Sequence, residues 1–166
     1  MGNSRSRLPA LLKWTGIATE IESVVELAKE LTNLVSDSKG KMKILIVVES
    51  ISEFLSTAAD AALVELIKSV RRSRHLLIAE AESSNWGSSW PLLAEVKAGR
   101  RGILLQPENL EGETLLKISL PRSSRADFPT GRGFFVERGK ATRFQVALPG
   151  GGDGQSAPST TTTDHQ

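Results

Sequence analysis

Glu49 stands directly after the apolar run ILIVV at 44–48. In a parallel α/β domain an acid at that point leaves the C-terminal end of a buried strand, where a carboxylate can hold magnesium beside a bound phosphate chain. Ser50 follows, at the position where many nucleotide hydrolases of this build carry a second acid that activates water, while Glu53 lies in another register. An apolar run closed by an acid also arises simply because strand ends need solvation, so the pattern alone favours the plainer account. Its companion, the phosphate-cradling GxxxxGK[ST] loop, occurs nowhere in the chain.

Glu80 and Glu82 leave the next apolar run, HLLIA at 75–79, as alternate residues. Two acids on one face could exchange protons with a substrate, although solvation of the strand exit is the simpler explanation. Ser83 and the serines at 84, 88 and 89 have no histidine near them in sequence, which argues for caps and turns and against a nucleophile. The two histidines, His75 and His165, and the absence of cysteine leave no His/Cys set for a metal, so His75 is read as structural. Trp86 and Trp90 flank a Gly-Ser-Ser turn, where packing is the leading account and a partner surface the other. Gly131 and Gly133 around Arg132 are read as serving a turn.

Arg71, Arg72 and Arg74 cluster at the end of one expected helix, and Arg100 and Arg101 at the end of the next. Both helix ends precede strands, so the five guanidiniums are expected on one rim of a sheet, suited to phosphate or to a neighbouring subunit's nucleotide. Cations at helix C-termini also complement the helix dipole, which explains them equally well.

The elements that would position these residues follow from periodicity. Ile17, Ile21, Val24, Ala28, Leu31 and Val35 recur at helical spacing behind a Thr19/Glu22 capping box, predicting a helix over 20–35 that covers part of the sheet. A turn over 36–41 leads to a strand at 44–48, buried on both faces. Thr57 and Asp60 open a helix running to Arg71 and Arg72, followed by a strand at 75–79. Ser88 or Ser89 is expected to cap a third helix, with Pro91 in its first turn and Gly99 after it, before a strand at 103–106. Strands alternating with helices predict right-handed crossovers and one parallel sheet. After Pro121 two β-rich runs joined at Arg138 and Gly139 read as a hairpin.

Composition sets the frame. The 166 residues, 39% hydrophobic and 5% aromatic, suffice for one domain with an aliphatic core. A net charge of +2 is too small to argue for nucleic acid by itself. No cysteine and no apolar run of membrane-spanning length fit a cytoplasmic protein without a membrane segment. The expected organisation is a flexible segment at 1–16, a domain at 17–149 and a Gly/Ser/Thr-rich disordered tail at 150–166.

KILIVVESISEFL, HLLIAEAESSNWGSSWPLLAEVKAGRRGILLQP and LPRSSRADFPTGRGFFVERGKATRFQV together resemble the end of actinobacterial FtsK/SpoIIIE-type ATPases, over roughly 40–149. The GSSWPLLAEV and GRG stretches are the specific part. The resemblance implies a partial RecA-like sheet ending in a β-hairpin, taken from a motor that couples Mg-ATP hydrolysis to moving DNA or, in secretion relatives, protein. It assigns Glu49 to the Walker B acid and 80–83, with Glu80 and Ser83, to the sensor region. Arg71, Arg72, Arg74, Arg100 and Arg101 become interface or phosphate-contacting residues.

Two departures stand out: Ser50 replaces the second acid, and the Walker A half is missing. The expectation is a chain that is catalytically inactive alone, needs no cofactor of its own, and works through self-association or a complete FtsK/SpoIIIE-type ATPase. The alternative is a small basic module that binds nucleic acid or acts as a scaffold. Sparse aromatics and no helix-turn-helix signature then limit DNA binding to a weak, salt-sensitive contact.

Overall fold

The computed structural model describes residues 1–37, 42–107, 111–122 and 125–147; the tail expected over 150–166 and most of the turn over 36–41 lie outside them. One helical turn, α1 (Leu8–Leu11), precedes α2 (Ile21–Asp37), whose apolar stripe buries Val24, Ala28 and Val35. Ser23 closes the first turn of α2: its hydroxyl accepts from the Glu20 N–H at 3.2 Å and donates to the Glu20 carbonyl at 2.8 Å. Helix α3 (Ala58–Arg71) starts with a reciprocal cap, in which Thr57 Oγ1 accepts from the Ala59 N–H and Asp60 Oδ2 from the Ser56 N–H.

Strands β1 (Leu45–Val48) and β2 (Leu76–Ala79) pair in parallel, Leu45 opposite Leu76 and Val48 opposite Ala79. Their inner face, carrying Ile46 and Val48, meets α2, α3 and Leu92 and Leu93 of α4 (Pro91–Lys97) in one apolar cluster. The expectation of strands buried on both faces is not met. On the outer face Leu45, Leu76 and Ile78 remain 54%, 46% and 47% exposed, because the helices, α2 included, all contribute to the inner side.

A second correction concerns the third strand. It forms as β3 (Gly102–Leu105), yet it does not join β1 and β2. It pairs antiparallel with β4 (Arg132–Glu137), which pairs in turn with β5 (Lys140–Gln145). Gly133 makes that pairing possible: a Cβ there would overlap the Leu104 carbonyl. Gly131 serves the turn as expected, at φ +80°, whereas Gly133 serves close strand approach. Arg138 and Gly139, both at positive φ, form the two-residue hairpin turn foreseen between β4 and β5. The architecture is therefore mixed α/β with a two-stranded parallel sheet and a three-stranded antiparallel one, not a single partial RecA-like sheet.

Helix α4 begins without a side-chain cap, on Trp90 and Pro91, so neither Ser88 nor Ser89 takes the expected role. Lys97 organises the preceding loop instead, donating to the carbonyls of Trp86 at 2.7 Å and Ser88 at 3.1 Å. Trp86 packs on the larger cluster and donates its indole N–H to the Ala81 carbonyl.

The start of the chain, expected to be flexible, is tied to the parallel sheet. The Met1 ammonium donates to the Val47 carbonyl at 2.8 Å, the Glu49 N–H donates to the Met1 carbonyl at 3.0 Å, and the Gly2 N–H to the Ala18 carbonyl. This is the hydrogen-bond pattern of a parallel bridge, on the edge of β1 away from β2.

Candidate functional site

The register that sets Val48 opposite Ala79 also brings Glu49 and Glu80 side by side at the C-terminal edge of the parallel sheet. Their side chains are used differently. Glu80 Oε2 accepts from the Ser50 N–H at 3.0 Å, its main-chain carbonyl accepts from the Ile51 N–H and its N–H donates to the Val48 carbonyl. It thus extends the ladder past β2 and fixes the 3-10 turn Ile51–Phe54. Ser50 sits in the left-handed region, at φ 49°.

Glu49 Oε2 is shut off from solvent and has no hydrogen-bond partner. It faces the N-terminal segment, close enough that a Cβ on Gly2 would lie 3.2 Å from it. Burial lowers the pKa of the neighbouring Met1 ammonium from its ordinary 8.0, and the negative charge of Glu49 opposes that shift with a smaller effect.

Other polar groups at this edge support one another. Asn3 donates to both oxygens of Glu53 at 2.9 and 3.0 Å, Arg5 approaches the same carboxylate at 3.9 Å, and Asn85 donates to Ser52 Oγ. Ser83 opens an exposed 3-10 turn, Ser83–Gly87, directly after Glu82. Asn3, Arg5 and Asn85 could not have been found by pattern, since short polar segments carry no periodicity to place them. One oxygen of Glu49 is thus shut off beside Gly2, and one oxygen of Glu80 is committed to a main-chain N–H. Among the described residues no three His, Asp or Glu side chains converge in a way that could hold a metal ion.

At the opposite, N-terminal edge the five expected arginines do not act as one set. Arg71 is engaged by Glu95 of α4 at 2.6 Å. Arg101 pairs with Glu137 at 3.2 Å and lies 5.6 Å from the ring centre of Phe135, bound up with the second sheet. Arg100 is exposed and takes a left-handed backbone at φ 46°. Only Arg72 and Arg74 come together, on the wall of a cleft of about 790 Å³. His75 is also there, its Nδ1 accepting from the Ile44 N–H at 3.2 Å, the structural role expected of it.

Comparison of the chain with family models, with curated proteins and with solved structures found no match. No helix among the described residues is long and apolar enough to cross a membrane.

Proposed function

We propose that this chain is the latter part of a motor-type ATPase core of the FtsK/SpoIIIE kind, silent toward ATP by itself and acting through a protein partner. The observation that carries the reading is the unfinished parallel sheet. β1 and β2 each run into a glutamate at the same edge, as strands of nucleotide-binding α/β cores do. Yet among the described residues β2 pairs only with β1. With β1 on one side, the Leu77 and Ala79 N–H and carbonyl groups point to the other edge, where no strand meets them among the described residues. An edge of that kind is where one more extended segment adds to a sheet.

Silence toward ATP follows from what the C-terminal edge lacks. Most of the grip on a triphosphate in such proteins comes from main-chain amides wrapped around it and a lysine at its far end. Glu49 and Glu80, side by side at this edge, repel a polyanion, and Ser50 cannot take a proton from water as an acid in its place would. Calorimetry with Mg-ATP and a phosphate-release assay on the purified chain should show neither micromolar binding nor turnover. Turnover abolished by Glu49→Gln would overturn the reading, because it would require a complete nucleotide site at this edge.

A further inference from the structure

The cleft at the N-terminal end of the parallel sheet carries more positive charge than the fold needs. It is walled by the ends of α2 and α3, by Met42 and Lys43 before β1 and by residues 72–75 before β2. The carbonyl end of α3 is already complemented within its last turn by Lys68 and Arg71. Lys68 is further neutralised by Glu65 at 2.9 Å, and Arg71 by Glu95. Arg72, the C-cap residue of α3, and Arg74 after it are exposed and have no acidic partner among the described residues. Lys43 reaches the same cleft from its place before β1 and makes only a long bond, 3.5 Å, to the Arg74 carbonyl.

Three cations free of acids thus converge from two chain segments on one concavity, and hydroxyls line it between them. Ser36 and Ser69 face each other at 3.3 Å, and Ser73 is fixed by its bond to the Val70 carbonyl. The concave wall also carries the Lys68–Glu65 pair, and the Ser36 and Ser73 hydroxyls already donate to main-chain carbonyls, so it is the two guanidiniums and the ammonium that match a tetrahedral oxyanion, which guanidinium forks bind with two parallel bonds. The volume is that of a small-ligand site.

We propose that this cleft binds phosphate groups through Lys43, Arg72 and Arg74. The inference is independent of the proposed function, since the cleft and the acidic edge lie at opposite ends of β1 and β2. The carbonyl end of α3, facing the same region, keeps the affinity weak and dependent on salt.

The test uses the isotope-labelled full chain, followed by amide chemical shifts during titration with inorganic pyrophosphate and, separately, with a short single-stranded DNA oligonucleotide. The expected result is movement of the Ser69, Ser73 and Arg74 amides with at least one probe. The double reversal Arg72→Glu, Arg74→Glu should weaken that binding by about tenfold or more, since each lost phosphate contact also returns counterions. Lys43→Glu should weaken it in the same direction, and Arg138→Glu, at the exposed hairpin turn, should leave it unchanged. Equal affinity per phosphate for the two probes identifies free phosphate as sufficient. A marked preference for the oligonucleotide, lost as salt rises, identifies a nucleic-acid backbone as the source. Arg72 and Arg74 are exposed, so unchanged shifts away from the cleft will report an intact fold. Absence of movement at these amides with both probes, or movement that survives the double reversal, would overturn the proposal.

Discussion

Glu80 holds Ser50 in place: the glutamate Oε2 accepts the serine main-chain N–H at 3.0 Å while Ser50 adopts a left-handed backbone. The acid that the family resemblance assigns to sensing is thereby spent on a turn. Glu80→Ala should destabilise the chain by about 1 kcal/mol, the discounted worth of an exposed charge-assisted bond. Ser50→Gly keeps the donor and removes the left-handed penalty, so it should be neutral or stabilising by up to about 1 kcal/mol. Urea unfolding of the two variants checks both values; a stable Glu80→Ala would mean the turn holds without its clamp.

Gly133 is the position at which β4 admits β3, and Gly133→Ala should cost about 2 kcal/mol or more by forcing the added methyl against the Leu104 carbonyl. Loss of slow amide exchange at Leu104, with the amides of α2 unaffected, is the expected readout.

The Met1 ammonium predicts a pH dependence with a defined sign. Its folded pKa lies below 8.0, so between that lowered value and 8 the unfolded chain binds more protons than the folded one. Stability therefore rises with pH through that window and levels off above it. Urea midpoints measured across the window should show the rise, and acetylating the amino terminus should flatten it.

Arg71 and Glu95 tie the end of α3 to α4 through a partly exposed pair. A double-mutant cycle with Arg71→Ala and Glu95→Ala should return a coupling of about 0.5–1 kcal/mol. Arg71→Ala should leave phosphate binding in the cleft intact, in contrast to Arg72 and Arg74.

What could be read beforehand were the elements whose signals are local. The stripe of α2, the Thr57/Asp60 cap, the apolar runs of β1 and β2 and the Arg138-Gly139 turn all appear where side-chain period and turn chemistry put them. The partner of β3 was not legible, because its run of Ile and Leu suits either sheet and the choice is made by the missing side chain at Gly133, about thirty residues away. At the site, the ends of two apolar runs mark Glu49 and Glu80 as strand exits, and the parallel register sets them side by side. The inward turn of Glu49 toward Gly2 was hidden, since the first residues carry no periodic pattern to announce their bridge to β1. The basic rim was half legible: charge and helix ends located it, but the acids that engage Arg71 and Arg101 come from other elements, Glu95 and Glu137.

The division of the apolar interior into two clusters bears on cooperativity. Phe128, Phe134 and Val136 form a nucleus of three buried side chains for the antiparallel sheet, separate from the larger one shared by β1, β2 and the helices. A unit with so little buried surface of its own opens at lower free energy than its neighbour. The ladder of β3, β4 and β5 should exchange its amide hydrogens through openings that leave α2 and α3 closed, and heating should melt the chain in two overlapping steps in place of one sharp transition.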